Sequence, residues 1–184
     1  MSEPVVNAES VLQFLGRLGQ GYRRPGVVYL VGGSSLLLVA AKLRTADIDL
    51  QFEVPDEYHI EFIRCLRQLS REMGMPVEQA SPGEFMPLPA GFESRRRFIG
   101  RFGALDVYHF DFYSVALAKI QRGNEKDFAD VVMMVRKNVI EVDRLDRFAE
   151  EVTPRIEDFG LRASRRDFER KFAVLKQRLA EKNA

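Results

Sequence analysis

The pattern of apolar and polar residues predicts a chain that alternates helices with strands at first and ends in helices. Apolar side chains three or four residues apart predict helices, whereas short β-rich apolar runs predict strands. The predicted helices cover residues 7–20, 36–43, 57–73, 112–122, 125–137 and 164–182. The predicted strands cover residues 27–31, 48–54, 97–102 and 105–110, the last two as a hairpin through Gly103 and Ala104.

This order of elements favours an α/β to α+β fold, with a small mixed β-sheet, flanking helices and a helical C-terminal tail. We predict one domain over residues 1–137 and a helical extension over residues 138–184 that packs on it. The 184 residues are 46% hydrophobic, which is enough apolar material for a core.

Composition narrows the classes of function. Lys and Arg total 28 against 27 Asp and Glu, and this balance argues against a protein that binds polyanions indiscriminately. A single cysteine, Cys65, and two histidines argue against disulfides and zinc. The N-terminus does not resemble a signal peptide, and the longest apolar stretch, residues 36–41, is too short to span a bilayer. We therefore expect a cytoplasmic protein without a membrane partner.

A strand-to-helix junction at residues 31–35 reads Val-Gly-Gly-Ser-Ser. Glycines let the backbone approach a ligand closely, and the free amides at a helix N-terminus bind anions. Gly32, Gly33 and Ser34 are therefore candidate phosphate-binding residues, with the Ser34 hydroxyl as a further donor. The plainer interpretation is a turn in which Ser34 or Ser35 caps the helix.

Asp47 and Asp49 stand two residues apart, with apolar Ile48 and Leu50 alternating against them. Side chains two apart on a strand project from the same face, so the two carboxylates point together. A divalent cation that prefers oxygen ligands, such as Mg²⁺ (or Mn²⁺), would relieve their repulsion. An exposed acidic edge without a metal is the alternative.

Together the two motifs resemble the signature of the polymerase-beta-like nucleotidyltransferase superfamily. In that signature a glycine-rich turn and a short helix precede an Asp-x-Asp strand. The residues Gly-Gly-Ser-Ser-Leu-Leu-Leu, followed by Arg-Thr-Ala-Asp-Ile-Asp-Leu, are similar to the branch of the abortive-infection toxin nucleotidyltransferases. The resemblance spans roughly residues 27–135.

The resemblance implies a role for each matching residue. Asp47 and Asp49 would bind metal ions, while Gly33 and Ser34 would hold the triphosphate. Arg44 matches the arginine of the branch and would assist with the phosphates, although it also suits a surface charge at a helix end.

The superfamily pattern also implies a third carboxylate between apolar residues on a neighbouring strand. Leu105-Asp106-Val107 has that form. Asp106 would then bind metal and deprotonate the acceptor hydroxyl, and we expect its strand to lie beside that of Asp47 and Asp49. An exposed position on the hairpin is the alternative.

Residues 119–130 are similar to a Lys- and Asp-containing stretch that the toxin branch carries at this place. By that resemblance Lys119 and Asp127 belong to the nucleotide-binding site. Helix capping and ion pairs along a helix are the alternative roles. The arginines at 95–97, with Arg101, are candidates for contacting a polyanionic acceptor, or they form a solvated hairpin face.

These observations predict a Mg²⁺-dependent nucleotidyltransferase that moves a nucleoside monophosphate from an NTP to a hydroxyl. The resemblance to the toxin branch implies that this hydroxyl belongs to RNA or to a protein. The resemblance further implies a place in a toxin–antitoxin pair, with an antitoxin or toxin as partner. A catalytically inactive fold that binds a nucleotide or a partner protein is the main alternative. A metal-dependent phosphohydrolase is a weaker one, since only His59 and His109 are present.

Overall fold

The computed structural model describes residues 6–40, 42–159 and 164–181. These residues form two compact units. The first draws on Met1–Ser81 and Arg96–Phe110, and the second on Pro82–Arg95 and Asp111–Ala184. This division differs from the expected boundary at residue 137, since Pro82–Arg95 and the residues that follow Phe110 belong to the second unit.

The first unit is built on a mixed five-stranded sheet. Its helices are α1 (Ala8–Gly21), α2 (Gly32–Val39) and α3 (His59–Met73). Its strands are β1 (Gly26–Leu30), β2 (Ile48–Glu53), β3 (Val77–Gln79), β4 (Arg97–Phe102) and β5 (Leu105–His109). The strand order is β3-β2-β1-β5-β4. β1 runs antiparallel to β2 and parallel to β5, and β2 runs parallel to β3.

One face of this sheet is buried under α1 and α3. The alternation along β2 shows why, because Ile48, Leu50 and Phe52 are buried while Asp49 and Gln51 project from the opposite face. The core combines apolar side chains of the sheet and the two helices, including Phe14, Leu15, Leu18, Val28, Leu30, Leu50, Phe62, Leu66, Leu105 and Val107. The acidic side chains of β2 therefore lie on the face away from this core.

The second unit is helical. It contains α4 (Phe112–Arg122), α5 (Glu125–Arg136), α6 (Val142–Val152), α7 (Ile156–Phe159) and α8 (Arg165–Glu181). Asp111 caps α4 by accepting hydrogen bonds from the N–H groups of Tyr113 and Ser114. Among the helices that the structure describes, none is long and apolar enough to cross a membrane.

The fold class and the hairpin are confirmed, and most helices lie within two residues of their expected bounds. Two local differences bear on the site. Helix α2 begins at Gly32 itself rather than at residue 36, so the glycines form its first turn. The three-residue strand β3 was not predicted at all. The expected end of the last helix at residue 182 lies outside the described residues.

Candidate metal and nucleotide site

The first turn of α2 is held against strand β2. The Ser34 hydroxyl lies 2.8 Å from the carbonyl oxygen of Val31 and 2.9 Å from that of Asp49, and its side chain is fully buried. A hydroxyl has a single hydrogen, so this group is engaged with backbone acceptors and is not the phosphate donor we expected. The residue preceding the helix, Val31, has no side chain that caps it. The backbone amides of this turn are therefore the anion-binding groups that the junction offers.

Asp49 lies directly against the glycine turn. Gly32 has φ +55°, and a Cβ added there would lie 2.4 Å from the Asp49 Oδ2 atom. Only glycine combines that backbone conformation with so close an approach. The expected position of the Asp-x-Asp segment beside the Gly-Gly turn is thus confirmed for Asp49. Asp47 does not share a strand with Asp49 as predicted, because it lies one residue before β2 begins.

A third carboxylate joins the pair from an unexpected element. Asp47, Asp49 and Glu78 each offer a carboxylate oxygen, and these oxygens lie within 4.8 Å of one another. Glu78 belongs to β3, whose register with β2 places Glu78 opposite Asp49. The two aspartates are half-buried and Glu78 is exposed, so the cluster opens to solvent.

This donor set fits a hard divalent cation. Mg²⁺ takes oxygen ligands at 2.0–2.1 Å, so two of its ligands lie at most about 4.2 Å apart. The observed limit of 4.8 Å is close to that value, and small side-chain rotations would close the difference. The mutual repulsion of three neighbouring carboxylates also favours a cation.

Asp106 does not lie where we expected, and that prediction is wrong. Its strand β5 pairs with β1 and β4 rather than with β2. Asp106 lies opposite Val27, which in turn lies opposite Glu53, so Asp106 is two strands away and four register positions along from Asp49. Four positions on a strand span about 13 Å.

Asp106 is instead paired with its neighbour across the hairpin. Arg101 donates two hydrogen bonds to its carboxylate, at 2.7 and 2.9 Å. These hydrogen bonds lower the pKa of Asp106. Asp106 therefore occupies a position on the hairpin, as the alternative interpretation has it, although it is half-buried rather than exposed.

Two basic residues lie in the segment between α2 and β2. Arg44, the predicted phosphate contact, is exposed. The Lys42 ammonium, which sequence reasoning missed, lies 3.7 Å from the position that a Cβ on Gly33 would occupy. A lysine in this segment has no distinguishing sequence pattern, because its position depends on how the segment folds back over the glycine turn.

Lys119 and Asp127 lie in the second unit, within a buried network of charges. The Lys119 ammonium donates to Asp127 at 3.1 Å and to Asp130 at 2.8 Å, and Lys119 is only 4% exposed. Arg122 and Asn124 also donate to the Asp127 carboxylate. Both groups are thus occupied in joining α4 to α5. The capping alternative holds for Asn124, which accepts from the Asp127 N–H, but the ion pairs of Lys119 run between two helices rather than along one.

The expected basic surface is also largely neutralised. Arg95 donates to the buried carboxylate of Asp111, at 3.1 and 2.9 Å, and Arg101 is paired with Asp106 as described above. Arg96 donates to the Tyr29 hydroxyl and stacks on its ring. Residues 95 and 96 fall in different units.

The mixed sheet, the glycine turn and the paired aspartates define a nucleotidyltransferase fold. The chain belongs to the family described as nucleotidyltransferase of unknown function (DUF6036), whose model matches residues 9–180. No curated protein and no solved structure matches the chain.

Proposed function

We propose that this protein is a divalent-cation-dependent nucleotidyltransferase that moves a nucleoside monophosphate from a nucleoside triphosphate to a hydroxyl. The observation that carries the proposal is the convergence of Asp47, Asp49 and Glu78 beside the first turn of α2. The carboxylates suit Mg²⁺ or Mn²⁺, and the turn suits the phosphates of the nucleotide. Membership of the family supports the reaction class.

In this proposal the carboxylates and the glycine turn have different tasks, and Glu78 has two. Asp47, Asp49 and Glu78 hold the cation, while the amides of Gly32 and Gly33 orient the triphosphate. The cation, when bound, neutralises phosphate charge and stabilises the leaving pyrophosphate. Because Glu78 is the exposed member of the cluster, we assign it the role of proton acceptor that we had expected of Asp106.

In the transfer step one bond to phosphorus forms, one breaks, and one proton moves. The acceptor oxygen attacks the α-phosphorus and loses its proton to Glu78. The bond between the α-phosphorus and the bridging oxygen breaks, and pyrophosphate leaves. Lys42 and Arg44 would contribute positive charge near the leaving group, where developing negative charge gains most from it.

The acceptor and the biological context rest on the resemblance. It implies an RNA or protein hydroxyl as acceptor and a place in a toxin–antitoxin pair. The pairing of Arg95 and Arg101 with aspartates lowers the net positive charge of the surface that we had expected to favour RNA. The test therefore considers both a protein hydroxyl and an RNA end as the acceptor.

The test uses nucleoside triphosphates that carry a label at one of two different phosphates. The protein is incubated with Mg²⁺, a cell extract and each nucleoside triphosphate, labelled either at the α- or at the γ-phosphate. Nucleotidyl transfer labels RNA or protein from the α-labelled nucleotide only, and nuclease or protease treatment identifies the acceptor. Label from the γ-position would indicate a kinase instead. Binding of the nucleotide without any transfer would favour the inactive binding module.

A further inference from the structure

The segment between α2 and β2 is fastened by the N-terminal part of the chain. Thr45 forms an isolated antiparallel bridge with Val6. The Thr45 N–H donates to the Val6 carbonyl at 2.8 Å, and the Val6 N–H donates to the Thr45 carbonyl at 3.0 Å. Val6 is fully buried and Thr45 is 7% exposed, so water does not compete effectively for either bond.

The Thr45 side chain faces the candidate site from this fastened backbone. A Cβ on Gly33 would lie 2.4 Å from the Thr45 Oγ1 atom, so the hydroxyl rests against the glycine turn. The same hydroxyl lies 3.5 Å from Oδ1 of Asp47. Thr45 therefore touches the phosphate-binding turn with one side of its hydroxyl and approaches a cation ligand with the other.

Asp47 needs such support more than Asp49 does. Asp49 is held within β2, between β1 and β3. Asp47 precedes the first residue of β2 and lies in a bend. Without a cation, three neighbouring carboxylates repel, and the residue with the least support from the sheet is the one that moves.

We propose that Thr45 is a positioning residue that sets Asp47 against the glycine turn, and that the bridge to Val6 keeps Thr45 rigid. This inference rests on the proposed function, because it concerns the same cation site. Groups that orient metal ligands typically change metal affinity by 10–100-fold when they are removed. We therefore expect Thr45 to act on affinity for the cation rather than on the fold.

The experiment compares Mn²⁺ affinity by isothermal titration in three variants of the full chain. Thr45→Val removes the hydroxyl at nearly constant volume, and we expect about tenfold weaker binding. Thr45→Ser keeps the hydroxyl and should bind within about twofold of the wild type. The matched control is Thr153→Val, since Thr153 is also buried and its hydroxyl donates to the Ala149 carbonyl at 2.6 Å.

The outcomes distinguish a failure of the positioning role of Thr45 from a failure of the proposed function. If the wild type binds Mn²⁺ and Thr45→Val binds it equally well, the positioning role is wrong while the proposed function stands. Equal weakening by Thr45→Val and Thr153→Val would also overturn it, because a general loss of stability would then explain both. A wild type that binds no Mn²⁺ contradicts the proposed function itself.

Discussion

Substitution of Gly32 by alanine tests the contact between the glycine turn and the carboxylate of Asp49. Two separate costs are expected. Alanine at φ +55° adopts a left-handed conformation, which costs about 1–2 kcal/mol. The new Cβ would also lie 2.4 Å from Asp49 Oδ2, so that carboxylate has to move. Overpacking of this kind costs about 1–3 kcal/mol more.

Gly74 provides the matched control. It has φ +62° at the end of α3, and a Cβ there would meet nothing within 4 Å. Gly74→Ala therefore pays the conformational cost alone, reduced by about 0.4–1 kcal/mol because alanine also restricts the unfolded chain. In a chain of this size each kcal/mol lowers the melting temperature by about 2–4 °C. Gly32→Ala should thus melt several degrees below Gly74→Ala.

Removing the carboxylate should remove the extra cost. In an Asp49→Ala background the nearest remaining atom of that side chain, its Cβ, lies 3.5 Å from the new Cβ, which is ordinary contact. A double-mutant cycle between Gly32→Ala and Asp49→Ala should therefore show a coupling of about 1–3 kcal/mol. Equal melting temperatures of Gly32→Ala and Gly74→Ala, together with no coupling in the cycle, would refute a close contact between the glycine turn and the Asp49 carboxylate.

Two further predictions concern buried charges. Lys119→Met leaves the Asp127 and Asp130 carboxylates without their buried ammonium group, and we expect the free energy of unfolding in urea to fall by about 3–5 kcal/mol. The control Lys176→Met breaks an exposed ion pair and should lower it by less than about 1 kcal/mol. Equal losses in the two lysine variants would contradict the structural role of Lys119. Burial, with the nearby charge of an arginine, lowers the pKa of His109 to about 4. As the pH falls, the histidine of the unfolded chain is therefore protonated before that of the folded chain, and the free energy of unfolding should fall by roughly 3 kcal/mol between pH about 6.5 and about 4. His109→Gln should flatten that slope, and an unchanged slope in urea titrations across this range would contradict the assignment.

Local patterns predicted much of the fold. Glycines after a β-rich run identified the junction before α2, and alternation around Asp49 identified β2. Asn7, a residue type favoured at helix N-caps, stands where the first helix was expected to begin, and it accepts a hydrogen bond from the N–H of Ser10 in a capping box. Such signals lie within a few residues of one another, so a single sequence contains them.

The features that the sequence did not predict depend on contacts between residues far apart in the chain. β3 has three residues and too few side chains to show an alternating pattern, so Glu78 could not be linked to the aspartates. The flanking residues of Asp106 suggested a third ligand, but the register of β5 against β1 places it far along the sheet. The network around Lys119 likewise depends on how α4 packs against α5, which no local pattern specifies.

The most direct test of the proposed function is nucleotidyl transfer from α-labelled nucleotide by the wild type, Asp49→Asn and Asp106→Asn, with a melting temperature recorded for each. Asp49→Asn hardly changes volume but removes a charge from the cation site. We expect transfer to fall by about a hundredfold or more, with an unchanged or slightly higher melting temperature. Asp106→Asn removes a carboxylate paired only on the hairpin surface among the described residues, and it should transfer at the wild-type rate. Normal transfer by Asp49→Asn, or loss of transfer in Asp106→Asn alone, would contradict the proposed site.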